Sequence, residues 1–132
     1  MAIRTVVHLD GEGGFLPVFS PSEVDFSDHD LHGQSFVGSY WHQARLVGVN
    51  LAGADLRDVD ASGSDFRGAS LAGANLRGAD LSYTDLRGVD LTGADTAGAN
   101  FTKAYWDEDC RGFAVETLRT MTPAQRAKGP EA

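Results

Sequence analysis

Large apolar residues recur along the middle of the chain with a spacing of five, and the spacing holds from Val24 to Trp106. Of sixteen residues taken at every fifth position from Phe26 to Phe101, nine are Leu and four are Phe, the others being Trp41, Ala61 and Thr96. Three further columns keep step. Two positions earlier, eleven of sixteen residues are Ala or Val; one position earlier, twelve are Asp or Asn; two positions later, eleven are Gly. Four columns in phase mark a tandem repeat rather than a compositional bias. A period of five fits neither a helix at 3.6 nor a strand at 2. A chain that turns a corner in every pentad satisfies it. The large residue and the Ala or Val then face an axis, with Asp or Asn and Gly at or outside the corner. Gly suits a corner because it tolerates positive φ, and Asp and Asn bond to nearby backbone.

The pentads Ala54-Asp55-Leu56-Arg57-Asp58 and Ala74-Asn75-Leu76-Arg77-Gly78 match the Ala-(Asp/Asn)-Leu-X-X pattern. In this the chain resembles the pentapeptide-repeat proteins over residues 24–106. The resemblance implies an all-β solenoid, a right-handed quadrilateral parallel β-helix with four pentads per coil. It would have about four coils and, at the strand spacing of about 4.8 Å, a length of about 20 Å. Four pentads per coil predict inward ladders twenty residues apart. These are Phe26-Leu46-Phe66-Leu86-Trp106, Leu31-Leu51-Leu71-Leu91, Phe36-Leu56-Leu76-Thr96 and Trp41-Ala61-Leu81-Phe101. In the last, the smallest central residue sits beside the largest, as close packing requires.

The ends differ from the repeat. Residues 1–23 are expected to form a strand or β-hairpin-like cap, with segments at 3–9 and 15–19 joined by Asp10-Gly11-Glu12-Gly13-Gly14. In 107–132, Ala114, Val115, Leu118 and Met121 share a face at helical spacing, which predicts a short α-helix over about 113–121. That helix would cap its own coil or contact a second copy in a homodimer. Thr122-Pro123 reads as the start of a second helical turn, closed by Gly129-Pro130. In the first coil, His29, Gln34 and Ser39 fall in the inward small-residue slots.

Charge and chemistry narrow the function. A net charge of −8 argues against a sequence-independent grip on DNA or an anionic membrane. Cys110, the single cysteine, excludes an internal disulfide and a cysteine-based zinc site. The apolar runs are too short to span a bilayer and the first residues lack a signal-peptide core, so a cytoplasmic protein is expected. No cofactor, metal or catalytic residue is expected. His29 and His32 have no helix to align them as ligands. The Asp column recurs in every coil, as turn stabilisation demands. Ser20, Ser62, Ser64 and Ser82 are expected to have no histidine beside them. Carboxylates around Cys110 would raise its pKa.

What remains is surface. Of the four faces, the one carrying Tyr40, His42, Gln43, Asp60, Asp80 and Tyr83 holds the scarce outward aromatics and is the candidate partner face. The leading expectation is a non-catalytic interaction or scaffold module with a protein partner. The alternative comes from the resemblance. Some pentapeptide-repeat proteins mimic DNA, bind type II topoisomerases (gyrase or topoisomerase IV) and protect them from poisons. Here eleven Asp against six Arg or Lys in the repeat zone are spread over all four faces. A body of about 20 Å also matches only about six base pairs.

Overall fold

The computed structural model describes residues 25–119 and 121–123. The sequence expectations for 1–23 and for Gly129-Pro130 lie outside the described residues.

Each pentad makes one tight turn, closed by a backbone bond such as that from the His29 N–H to the Phe26 carbonyl (3.0 Å). The third residue of every turn has positive φ, as a type II turn requires. Glycine supplies it at eleven pentads, for example Gly53 at 69°. The residue before the large apolar one then caps the turn. Asp55 Oδ1 accepts from the Arg57 N–H (3.3 Å), Asn75 Oδ1 from the Arg77 N–H (3.1 Å), and Asp80 Oδ1 from the Ser82 N–H (3.0 Å). The Asp/Asn column is thus explained as turn chemistry.

Successive coils are joined by parallel bridges between residues twenty apart, from Asp25↔Arg45 through Asp85↔Tyr105. The bonds between coils repeat with the same period. The Leu56 N–H donates to the Asn75 carbonyl (2.7 Å), and the Asp55 N–H to the Gln34 carbonyl (2.9 Å). Each coil thereby satisfies the polar backbone of the next.

The expected ladders point inward. Trp41, Ala61, Leu81 and Phe101 are buried, as are Leu51, Leu71 and Leu91, while Leu31 packs against them half-buried. The small-residue column fills the remaining interior with Ala44, Val49, Ala54, Val59 and their successors. Where a hydroxyl replaces Ala, it is bonded. Ser64 Oγ donates to the Trp41 carbonyl (2.6 Å) and accepts from the Ala44 N–H (2.9 Å), and Thr84 Oγ1 donates to the Leu81 carbonyl (2.6 Å). The first coil departs from the pattern. Ser39 is buried with no partner for its Oγ among the described residues, but His29 is exposed, its Nδ1 3.0 Å from the Ser27 carbonyl.

The C-terminal segment corrects two expectations. The helix α1 spans only Val115–Leu118. Thr122–Pro123 does not begin a second helical turn but forms strand β2, paired in parallel with β1 (Tyr105–Trp106). The open ladder above Tyr105 offers backbone partners that an isolated helical turn lacks, and the Thr122 N–H donates to the Ala104 carbonyl (2.7 Å). Met121 is buried, and Leu118 packs half-buried on the core, but Ala114 is exposed and joins no apolar face. The register also slips once. Asp90 bridges Arg111, twenty-one residues on, because Asp107 to Cys110 adds a residue at a corner.

Candidate functional site

The twenty-residue repeat builds the fourth face from the sequence. Tyr40, Asp60, Asp80 and Asn100 form one bridged column along the solenoid. His42, Ser62 and Ser82 follow two residues on. The adjoining corner column is Gln43, Gly63, Tyr83 and Lys103.

The polar groups are tied together. Asp60 Oδ1 accepts from the Ser62 N–H (3.1 Å) and the Ser62 hydroxyl (2.8 Å). His42 Nδ1 lies 2.9 Å from Ser62 Oγ. Since the Ser62 proton goes to Asp60, His42 is the donor in that bond. This corrects, for Ser62, the expectation that no histidine lies beside the serine: residues 42 and 62 differ by one coil and so share a column. The order of the chain, His to Ser to Asp, is not that of an activated nucleophile, in which His accepts the Ser proton. The Tyr40 and His42 rings stack at 6.0 Å with an interplanar angle of 20°. Asp80 repeats the arrangement, its Oδ1 accepting from the Ser82 hydroxyl at 2.6 Å.

Aromatic exposure is concentrated here. Tyr83 is 65% exposed and Tyr40 39%; the other exposed large apolar residues among those described are Val37 and Tyr105. The corner column is unusual in its backbone. Among the described residues, five other than glycine take the left-handed turn position: Asp28, Gln43, Asp58, Tyr83 and Lys103. Aspartate is among the residues that tolerate it. The three that do not, Gln43 (59°), Tyr83 (59°) and Lys103 (61°), all lie on this one corner.

The family model for pentapeptide repeats matches residues 25–60, 62–95 and 84–105, in eight copies. The chain belongs to the pentapeptide-repeat family. Among solved structures it is similar to a pentapeptide repeat protein from Nostoc Pcc 7120, at 25% identity and TM-score 0.69, with 75% of this chain and 84% of that one covered. It is also similar to a pentapeptide repeat protein of the Arabidopsis thaliana thylakoid lumen, at 28% identity and TM-score 0.60, covering 70% of this chain and 59% of that one. No curated protein matches the sequence. The family and these neighbours imply a right-handed quadrilateral β-helix. Pentapeptide-repeat proteins are generally structural or interaction modules rather than enzymes.

On the first and third faces of this pentapeptide-repeat protein, arginines pair with the aspartates of the turn column. On the first, Arg67 and Arg87 each grip the carboxylate two residues earlier, with Arg67 Nη2 2.7 Å from Asp65 Oδ2. Arg45 reaches Asp25 (3.6 Å). On the third, Arg57 Nη2 lies 2.7 Å from Asp55 Oδ2 and Arg77 Nη1 3.2 Å from Asp95 Oδ2. These partners set the acidity. The Arg57 side chain holds Asp55 below the usual aspartate range. Burial pushes Asp65 up, but its bonds from Arg67 outweigh it and leave it low. The Ala97 N–H, then Arg77, lower Asp95. On the second face, Asp30 pairs with His32, whose Nδ1 is 2.8 Å away. His29 does not join them, and no group of three metal-ligating side chains occurs among the described residues. Burial raises the Cys110 thiol, which donates to the Leu86 carbonyl (3.0 Å).

Proposed function

We propose that the protein is a non-catalytic interaction module whose fourth face binds a protein partner. The observation that carries this reading is the corner of Gln43, Tyr83 and Lys103. A left-handed residue other than Gly costs about 1–2 kcal/mol, and such strain concentrates at functional positions. At the same corner position, eleven other pentads use Gly. Tyr83 is the most exposed of the aromatics there, and Tyr40 stacks on His42 on the same face, two coils away. A rigid ladder of backbone bonds presents both rings without an ordering cost on binding.

The same proposal assigns about four coils to residues 24–106 and gives the segment after Trp106 the role of a cap on its own coil. The pairing of β2 with β1 and the burial of Met121 support the cap over a dimer contact.

A DNA-like acidic rod that docks on gyrase or topoisomerase IV has less support. Five arginines of the first and third faces lie within 4 Å of a carboxylate, and neutral residues interrupt the aspartate columns of the second (Asn50, Ser70) and fourth (Tyr40, Asn100).

Affinity capture from lysate, read by mass spectrometry, tests the proposal with the Tyr40→Ala/Tyr83→Ala variant in parallel. A protein recovered by the native chain and lost with the variant is the expected result. A partner held equally by both would sink it. Gyrase or topoisomerase IV subunits retained by both would favour the DNA-like rod.

A further inference from the structure

Resting on the reading of the fourth face as the partner surface, we propose that the partner is a basic protein segment. One of its arginine side chains bridges Asp60 and Asp80 between the rings of Tyr40 and Tyr83.

The chain itself shows what fits an aspartate in this column. On the first and third faces every aspartate of this column has an arginine within 4 Å, and at Asp55, Asp65 and Asp85 the arginine two residues on takes both carboxylate oxygens. Arg57 Nε lies 2.8 Å from Asp55 Oδ1, and its Nη2 2.7 Å from Oδ2. On the fourth face, serine stands at that position. Ser62 and Ser82 satisfy only Oδ1 of Asp60 and Asp80. The second oxygen of each has no protein partner among the described residues. The guanidinium position is therefore vacant twice, on adjacent coils about 4.8 Å apart.

Adjacent aspartates also repel, and a cation between them relieves both at once. The second face differs. Its carboxylates, Asp30 and Asp90, are separated by two coils that carry Asn50 and Ser70 in the same column, and among the described residues it offers no exposed tyrosine. Among the described residues the one Lys or Arg on the fourth face, Lys103, lies at the corner beyond Tyr83. Arginine is favoured over lysine because its planar fork spans two carboxylates and stacks on aromatic rings.

The full chain, labelled with ¹⁵N, would be titrated with N-acetyl-arginine amide and with its lysine counterpart at fixed ionic strength. The expected result is amide shifts centred on Asp60, Ser62, Asp80 and Ser82, larger for arginine. Asp60→Asn/Asp80→Asn should weaken binding about fivefold, the scale of one exposed ion pair. That variant keeps its turns, since Asn75 and Asn100 already cap the same position. Ser62→Arg/Ser82→Arg should weaken binding similarly by filling both vacancies. Shifts of equal size around Asp30 and Asp90, equal response to lysine, or binding unchanged in the Asn variant would each overturn the inference. If arginine fails while Tyr40→Ala/Tyr83→Ala still abolishes capture of a lysate partner, the inference falls and the interaction-face reading stands.

Discussion

Replacing Tyr83 by Gly and by Ala separates the backbone from the side chain at the proposed site. Tyr83 sits at φ 59° with its ring 65% exposed, so truncation removes little buried area. Both variants lose the ring, and they differ only in the Cβ. At an ordinary site Ala is the more stable by about 0.5–1 kcal/mol, because Gly is freer in the unfolded chain. Here the left-handed position penalises Cβ by about 1–2 kcal/mol, which reverses the order. The Gly variant should therefore exceed the Ala variant by about 0.5–1 kcal/mol. It should also match or exceed the native chain in stability, while losing the partner. Urea unfolding with equal slopes measures the difference directly. An Ala variant as stable as the Gly variant would refute the claim that this corner stores strain.

Ala61→Leu adds three carbons between Trp41 and Leu81, all fully buried. It should destabilise by about 1–3 kcal/mol, and an unchanged melting temperature would count against the twenty-residue register. Acid should weaken the fold through the aspartates held low by their partners, Asp55, Asp65 and Asp95. A depressed native pKa gives stability that is complete above the ordinary value of 3.8 and is lost as pH falls through the lower native values. Melting followed from pH 6 to pH 2 should show the loss beginning below about pH 4, and an acid-insensitive midpoint would contradict it. Gly112→Ala should cost more than Gly53→Ala. Both are left-handed, but a Cβ at Gly112 meets the Thr92 and Leu91 backbone, while at Gly53 it meets open space. Equal melting temperatures would contradict the packing of the last coil.

The repeat was legible because its information is local and redundant. Columns of Leu, Ala, Asp and Gly fix the turn, its cap and the inward side, and arithmetic on twenty gives the ladders. The same arithmetic would have found the bond between His42 and Ser62, residues that are separated by one coil. The C-terminal segment was less legible because its conformation answers to the coil beneath it. Helical spacing from Ala114 to Met121 predicted a longer helix than Val115–Leu118, and Thr122-Pro123 carried a helix-start signal that the open ladder at Tyr105 overrode. The slip at Asp107 to Cys110 leaves no mark in the pentad pattern, because that pattern has already ended. The strain at Gln43, Tyr83 and Lys103 is visible in the sequence as gaps in the glycine column. The twenty-residue register puts all three on one corner, and the fold adds that each holds a positive φ there.

The central claim is that one face of four carries the function. Calorimetric titration of the captured partner against four double variants tests it most directly. The variants are Arg67→Ala/Arg87→Ala on the first face, Ala72→Lys/Thr92→Lys on the second, Arg57→Ala/Arg77→Ala on the third and Tyr40→Ala/Tyr83→Ala on the fourth. Loss of binding in the fourth alone is the predicted result. Binding kept there and lost on another face would contradict it.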